Sequence, residues 1–290
     1  MIPPFVPVAD PRPTDTPWPT MQWPIPAGTT LAGTTVSLAP LDPDTDAEAL
    51  FACLDHDQVW AFVPVPRPRS ATDLHALFSA RRTLSNWQQW TVRLAREYKG
   101  MAPGTIVGTT SYTNASPADA RLEIGGTFYT PGTWGSIVNP ESKLLLMRLA
   151  FEELNVGRAE IRTDTRNTRS QLAITRLGAV YEGTQRRYAR RPDGTVRDTV
   201  LFSIIAEEWA TVQHNLTERI ARSLAKEHSG TPDSIAPRPS SRGTLHPCLG
   251  ELVPDGRGCT RLDARGSEAP SRGSEAPSRG SEAPAPCSAG

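Results

Sequence analysis

A glycine-containing loop that leads into a helix start is the part of the sequence best suited to hold a phosphorylated ligand. Gly132 and Gly135 lie in the loop, and Asn139-Pro140-Glu141 follows. Asn139 is a preferred cap, Pro140 fits a first turn that needs no amide hydrogen, and Glu141 suits the positive end of the helix dipole. Free backbone amides at such a junction bind phosphate. An ordinary capped helix explains the same residues, so the loop alone leaves both interpretations open.

The helix that follows this loop has one apolar stripe. Its apolar residues are spaced three, four and three positions apart, as one face of a helix requires. They are Leu144, Met147, Phe151 and Leu154. Gly157 is expected to end the helix.

A strand and a second helix start come next. Ala159, Ile161 and Thr163 alternate with charged residues, which is typical of a half-buried strand. Asn167 then opens a helix that Gly178 closes. Because asparagine is a preferred cap in any helix, this position is explained with or without a catalytic function.

The remaining elements position this central stretch. Hydrophobic periodicity predicts strands over residues 34–41, 87–96, 105–112, 121–129, 180–190 and 195–205, and helices over 47–54, 70–82 and 207–227. Pro192-Asp193-Gly194 joins the last two strands as a hairpin turn, since Asp and Gly tolerate positive φ angles. Strands interleaved with helices and followed by a hairpin predict an α/β fold with a mixed (α+β) sheet.

Composition excludes several classes of protein. Lys plus Arg and Asp plus Glu both number 31, so no net charge points to nucleic acid or to an anionic membrane. No apolar run reaches the ~18 residues of a membrane span, and the N-terminus lacks a basic segment followed by an apolar one. The cysteines show no disulfide framework, which favours a reducing, cytoplasmic location. They are Cys53, Cys248, Cys259 and Cys287.

Three segments are expected. Residues 1–28 form a proline-rich arm, which Trp18 and Trp23 are expected to attach to a domain over residues 29–228. Residues 229–290 contain no Phe, Trp or Tyr and end in Arg-Gly-Ser-Glu-Ala-Pro repeats. Because this segment lacks apolar bulk, it is predicted to be a disordered low-complexity tail.

Several short motifs, in order from about Gly33 to about Leu216, resemble the GNAT superfamily of N-acetyltransferases. Within it, the chain is similar to the RimJ/RimL-like branch, named for enzymes that acetylate the N-termini of ribosomal proteins. The motifs are Glu123-Ile124-Gly125, Trp134-Gly135, Asn139-Pro140-Glu141-Ser142-Lys143, Asn167-Thr168-Arg169-Ser170, Leu177-Gly178-Ala179, Glu182-Gly183 and Asp193-Gly194-Thr195-Val196-Arg197-Asp198. The resemblance implies an acyl-CoA acetyltransferase fold with flanking helices.

The resemblance also implies that acetyl-CoA is the cosubstrate and that the glycine loop holds its pyrophosphate. The implied coenzyme-binding residues are Trp134, Gly135, Ser136, Ile137, Val138, Asn139 and Asn167. The family usually has a second glycine two residues after the first, and here Ile137 stands in its place. A side chain there would weaken or tilt the approach of backbone to phosphate.

Catalytic roles follow from the resemblance alone. Glu123 matches the position where related enzymes direct a carboxylate at the acceptor amine, and an exposed strand glutamate is the simpler alternative. Ser170 matches a possible proton donor to the leaving thiolate. A second acid used by some relatives is missing, because Ala189 stands there. The histidines fall outside all motifs, and neither histidine-based catalysis nor a metal site is supported. They are His56, His75, His214, His228 and His246.

We therefore expect acetyl transfer from acetyl-CoA to a primary amine by direct attack, without an acetyl-enzyme intermediate. The expected acceptor is a protein or peptide N-terminus. A small-molecule amine, such as an antibiotic, amino sugar or polyamine, is the alternative acceptor, and a non-catalytic acyl-CoA-binding module is the alternative of another class. Neither nucleic acid nor membrane partners are expected, and the chain is expected to be a monomer or a homodimer.

Overall fold

Eight strands form one mixed sheet in the computed structural model, which describes residues 6–9 and 18–228. The strands are β1 (Leu31–Ala32), β2 (Val36–Pro40), β3 (Gln88–Leu94), β4 (Ile106–Ser116), β5 (Arg121–Tyr129), β6 (Arg158–Asp164), β7 (Val180–Arg190) and β8 (Val196–Ile205). Their order across the sheet is β1-β2-β3-β4-β5-β6-β8-β7. The predicted α/β fold with a mixed sheet is confirmed.

Helices pack on this sheet through two hydrophobic clusters. The helices are α1 (Pro43–Leu54), α2 (Asp57–Trp60), α3 (Ala71–Arg82), α4 (Val138–Arg148), α5 (Thr168–Thr175) and α6 (Trp209–His228). The larger cluster includes Leu146 and Met147 of α4, and the smaller one includes Leu50 of α1 and Phe78 of α3. No helix in the described ranges combines the length and apolarity that crossing a membrane requires.

One parallel pair interrupts the otherwise antiparallel sheet. β5 and β6 run parallel and pair at only three positions, Arg121 to Glu123 with Arg158 to Glu160. Both strands continue beyond these positions, to Tyr129 and Asp164. The sheet therefore opens between β5 and β6, next to the loop before α4.

Several predicted elements are confirmed. β5 and β7 have the predicted bounds. The Ser70 hydroxyl caps α3 by accepting a hydrogen bond from the amide of Asp73 at 3.1 Å. At the predicted hairpin turn, Gly194 has a φ of 83°, a value that glycine adopts readily.

The start of α4 differs from the prediction. The helix begins at Val138, so Asn139 lies inside its first turn and does not cap it. Ile137 occupies the cap position and has no side-chain acceptor. The Ser136 hydroxyl accepts a hydrogen bond from the amide of Val138 at 3.3 Å. Ser136 lies one residue before the cap position and so supports the first turn of the helix. Pro140 lies in the first turn, as predicted.

Glu141 lies in the first turn of α4, at the positive end of the helix dipole, as predicted. The side chain is buried, and its carboxylate accepts three hydrogen bonds from the segment that joins β1 to β2. The donors are the amides of Thr34 at 2.6 Å, Thr35 at 2.9 Å and Val36 at 3.1 Å. Glu141 thus fixes α4 to the edge of the sheet.

The end of α4 also differs from the prediction. A π-helical turn, Leu149–Glu153, follows the helix, and the amide of Leu154 donates to the carbonyl of Leu149 at 2.9 Å. Asn155 then adopts a φ of 56° and reverses the chain. Asparagine tolerates this left-handed conformation, which is why the helix stops before Gly157.

Part of the N-terminal arm packs on the domain. Met21 and Ile25 are buried in the larger cluster, and the Trp23 indole donates a hydrogen bond to the carbonyl of Ser85 at 2.8 Å. Trp18 is 66% exposed, so the expectation that it attaches the arm is wrong. The division at residues 28 and 29 stays a prediction, and the predicted tail over residues 229–290 lies outside the described residues.

Candidate active site

A cleft of about 250 Å³ occupies the opening between β5 and β6. Residues 124–129 of β5 and 161–163 of β6 form two of its walls. The loop before α4 and the helix α5 close one end of the cleft, the end where the sequence predicts the coenzyme to bind. Val59 and Phe62, from the region of α2, border its other end. The cleft therefore extends from the loop before α4 to the region of α2.

A β-bulge shapes the β5 wall. The pairing of β4 with β5 shifts register between Thr109 and Ser111, and Gly126 adopts a φ of 54°. A Cβ atom on Gly126 would lie only 2.9 Å from the Ser111 hydroxyl, so a larger residue does not fit without a shift. Bulges re-aim side chains next to functional sites. Here Thr127 turns toward α4 and hydrogen-bonds with Thr110 at 2.9 Å.

Three of the predicted coenzyme-binding residues line the cleft from the loop and α4. They are Trp134, Gly135 and Asn139. The Trp134 indole donates a hydrogen bond to the carbonyl of Tyr129 at 3.0 Å, which fixes the loop to β5. Within the described residues, the amides of Gly135 and Asn139 have no hydrogen-bond acceptor. Such free amides at a helix start fit a phosphate group.

The other three loop residues lie elsewhere. Ser136 and Ile137 border a second cavity of about 260 Å³ beside α6, which Gly135 also borders, and Val138 is fully buried. Ile137 was expected to interfere with phosphate because it replaces a glycine. Its side chain packs in the larger hydrophobic cluster and does not line the cleft. The side chain thus leaves the cleft side of the loop open.

The α5 wall contains the predicted Asn167 and Ser170. The Asn167 side-chain oxygen accepts a hydrogen bond from the Ser170 amide at 3.0 Å, which confirms the predicted cap. Both residues line the cleft. Between them in sequence, the Arg169 guanidinium lies 3.3 Å from the centroid of the Trp134 ring. This cation–π contact joins the α5 wall to the loop wall.

Glu123 lies at the point where β5 and β6 separate. Its side chain is 15% exposed, and its Oε2 accepts a hydrogen bond from the side-chain Nδ2 of Asn114 at 2.9 Å. A Cβ atom on Gly125, which lines the cleft, would lie 3.1 Å from the Glu123 Oε1, so the carboxylate borders the cleft wall. Burial raises the pKa of Glu123, while Arg162 and Asn114 act in the opposite direction. A raised pKa suits a proton acceptor.

Lys143 is a cleft residue that the sequence did not single out as functional. Its side chain is buried, and its Nζ donates to the hydroxyls of Thr127 at 2.7 Å and Thr110 at 3.1 Å. No carboxylate within the described ranges pairs with it. Burial lowers the pKa of Lys143 to about 7. A signal existed in the sequence, because Leu146, Met147 and Ala150 follow at helical spacing and mark its face as buried.

Arginines surround Glu123 on the same side of the sheet. Arg162 Nε lies 3.6 Å from Glu123 Oε2, and the other end of its guanidinium bonds Glu160 and the Tyr188 hydroxyl. Glu160 was expected to point outward but is buried, because Arg158 and Arg162 flank it. Arg197 of β8 also lines the cleft.

Other chemistries have little support in the described ranges. Those residues include no group of three or more His, Cys, Asp or Glu that could hold a metal ion. Burial raises the pKa of the Cys53 thiol to about 12, which keeps the thiol protonated at neutral pH.

Comparison with known proteins gives one family. The family model described as an acetyltransferase (GNAT) domain matches residues 36–180. The chain is 26% identical over 165 residues to the N-acetyltransferase YoaA of Bacillus subtilis (strain 168), a protein named as uncharacterized. That match covers 56% of this chain and 89% of YoaA.

Solved structures agree with the family match. A crystal structure from T. thermophilus, provisionally described as an acetyltransferase, is 32% identical with a TM-score of 0.60, covering 68% of this chain and 99% of that one. Mycobacterium smegmatis RimJ in complex with CoA-disulfide is 21% identical with a TM-score of 0.57, covering 67% of this chain and 95% of RimJ. At that identity, the likeness to RimJ shows the fold.

Proposed function

The chain belongs to the GNAT family of acetyltransferases and is an acetyl-CoA-dependent enzyme, and we propose that it acetylates the free N-terminus of a peptide or protein. One observation supports this proposal above others. The Glu123 carboxylate, whose pKa burial raises, lies beside Gly125 of the cleft wall, and Gly135 and Asn139, whose amides have no acceptor in the described part of the chain, line the same cleft. A proton acceptor and a phosphate-binding loop are the two parts that amine acetylation needs.

The coenzyme would be held by the loop and by α5. The amides of Gly135 and Asn139 would donate to the pyrophosphate, and Asn167 and Ser170 would border the thioester. Trp134 keeps the loop against β5 through its bond to Tyr129. Ser136, Ile137 and Val138 support the loop from behind. When bound, acetyl-CoA supplies an activated acetyl group.

Glu123 would accept the proton of the attacking amine, directly or through water. A carboxylate whose pKa is raised by burial is a stronger base than a surface glutamate. Asn114 and Arg162 orient it through contacts at 2.9 and 3.6 Å. Ser170 would donate a proton to the leaving sulfur. Direct attack fits the neutral, partly buried Cys53 thiol, which is a poor nucleophile.

The choice of acceptor rests on amine chemistry. An α-amine has a pKa near about 8 and a lysine side chain near about 10.4, so the α-amine is roughly two orders of magnitude richer in its neutral form at pH 7. Glu123 is the one carboxylate that the resemblance assigns to the acceptor amine, and Ala189 stands where some relatives have a second acid. A site of this kind is better matched to an α-amine than to lysine.

The test is a two-step assay on the full chain. Calorimetry with acetyl-CoA measures coenzyme binding, and thiol release then measures turnover on peptides with a free N-terminus, on N-blocked lysine peptides and on small amines. We expect the free N-terminus to be preferred near neutral pH. A preference for lysine, or for an amino sugar or polyamine, would show that the proposed acceptor is wrong while the chain still transfers acetyl groups. Binding without turnover on any amine would instead favour a non-catalytic module.

Two further expectations accompany this proposal. A cytoplasmic location follows from the cysteine pattern alone, and the chain is expected to be a monomer or a homodimer. Sedimentation of the purified chain would measure its oligomeric state.

A further inference from the structure

Arg197 is a buried cation without an anionic partner in the described part of the chain. It lies on β8, is 9% exposed and lines the cleft. Its Nε is buried without a hydrogen-bond partner, and no described carboxylate lies within 4.0 Å of its guanidinium. Burial lowers the pKa of Arg197, partly offset by Asp164 and Glu123 farther away. Burying a charge without a partner is costly.

The neighbouring arginines are already paired. Arg158 contacts Glu182 at 2.6 Å, and Arg191 contacts Asp164 at 2.8 Å. Arg162 bonds Glu160 and approaches Glu123. The carboxylates of this face are therefore engaged with other cations.

The residue opposite Arg197 offers no carboxylate either. Ala189 of β7 is its direct partner in the β7–β8 ladder. Side chains at directly opposite positions lie about 4.5–5.5 Å apart at their Cβ atoms and share a face. The residue paired with Arg197 in the ladder therefore contributes a methyl group and no charge.

We propose that Arg197 binds a carboxylate of the acceptor, so that the preferred amines have an acidic group close to the amine. This inference rests on the proposed acetylation of an amine. A guanidinium pairs with a carboxylate through parallel hydrogen bonds, which makes it a specific reader of this group. Arg197 lines the cleft and interacts electrostatically with Glu123, so one acceptor would present its amine to Glu123 and its carboxylate to Arg197. The carboxylate comes either from an acidic residue at the start of a peptide or from a free amino acid.

Paired acceptors test the proposal. Rates of thiol release are measured for a peptide that starts with aspartate and one that starts with asparagine, and for a free amino acid and its α-amide. Rates are compared per neutral amine, because the amine pKa differs within each pair. We expect the acidic member of at least one pair to have a kcat/KM at least about tenfold higher, and the responding pair identifies the source of the carboxylate. Equal values in both pairs would overturn the proposal.

Two substitutions locate the effect. Arg197→Gln should lower the ratio of kcat/KM for the acidic acceptor to kcat/KM for its neutral partner by about tenfold. Ala189→Glu should lower the same ratio, because it supplies an internal carboxylate to Arg197. Arg186→Gln, an exposed arginine of the same strand as Ala189, is the matched control and should keep the preference. If Arg197→Gln has a lowered Tm, Arg197→Lys serves as the variant with retained charge. An equal loss on both members of a pair, or weaker acetyl-CoA binding, would assign Arg197 to another role and overturn the inference.

Binding separates this inference from the proposed function. If no amine is acetylated, the proposed function fails. Calorimetry with an N-acetylated acidic amino acid then decides the inference, in the presence of CoA. Binding that Arg197→Gln weakens about tenfold supports it, and absence of binding overturns it.

Discussion

Arg162 holds its Nε 3.6 Å from the Glu123 Oε2 while the rest of its guanidinium bonds Glu160 and the Tyr188 hydroxyl. The contact places a fixed positive charge beside a carboxylate that burial would otherwise make hard to ionise. Burial thus raises the pKa of Glu123 while the Arg162 charge lowers it, and the pH dependence of activity tests the balance.

Glu123→Gln should lower kcat by roughly two to four orders of magnitude, because the amide cannot accept the amine proton. Coenzyme affinity should change little, since the residue lies away from the loop before α4. Steady-state rates and calorimetry measure the two quantities. Glu218→Gln on α6 is the control, as its carboxylate is exposed and pairs with Arg222. An unchanged kcat would assign the base to another group.

Arg162→Gln should move the acid limb of the kcat/KM profile to higher pH. Glu123 must be ionised to act, so activity per neutral amine falls as the pH falls through the pKa of Glu123. The Arg162 charge opposes the rise in that pKa, and its removal raises the pKa further. Profiles of both proteins measure the shift, with the exposed Arg222→Gln as control. If Arg162→Gln is folded and the acid limb of its kcat/KM profile lies at the same pH as in the unchanged protein, the pKa of Glu123 does not determine that limb.

Lys143→Met should stabilise the protein more at pH 6 than at pH 10. Burial lowers the pKa of Lys143 from 10.5 to about 7. Between these values the unfolded chain binds more protons than the folded chain, so the free energy of unfolding rises with pH. The penalty of the buried charge is complete below about pH 7 and absent above 10.5. Urea unfolding at both pH values measures it, and exposed Lys99→Met is the control. If the free energies of unfolding of the variant and the unchanged protein differ equally at pH 6 and pH 10, the buried charge of Lys143 is not the cause of the difference.

Ser170→Ala should lower kcat by roughly tenfold, equivalent to about 1.4 kcal/mol, and leave acetyl-CoA affinity unchanged. The Ser170 hydroxyl has no partner among the described residues, and its amide keeps the bond to Asn167. Asn167→Ala is the comparison, since it removes the cap and should cost about 1 kcal/mol of stability. Weaker coenzyme binding in Ser170→Ala would mean that the hydroxyl positions the coenzyme.

The sequence predicted the elements whose signals are local. The alternation over β5 and β7, the Asn167 cap and the Asp193-Gly194 turn depend on residues a few positions apart, and each is found where it was expected. The cleft residues Trp134, Gly135 and Ser170 came from resemblance to known enzymes, and their roles stay predictions.

The burial of two charged residues of α4 depends on distant partners. Glu141 and Lys143 look like surface charges by residue type. Glu141 binds amides 105 to 107 positions away, and Lys143 reaches hydroxyls 16 and 33 positions away. The pairing of such groups is set by the packed sheet, and no periodicity within α4 specifies it.

The Glu141 anchor has a consequence for the order in which the enzyme is assembled. The segment between β1 and β2 leaves the ribosome about a hundred residues before its carboxylate partner, which at about 5–20 residues per second is a delay of roughly 5–20 seconds. Closing so long a loop is entropically unfavourable until other contacts have formed. We therefore expect the coenzyme loop to mature late. In refolding experiments, acetyl-CoA binding should return after the helical signal.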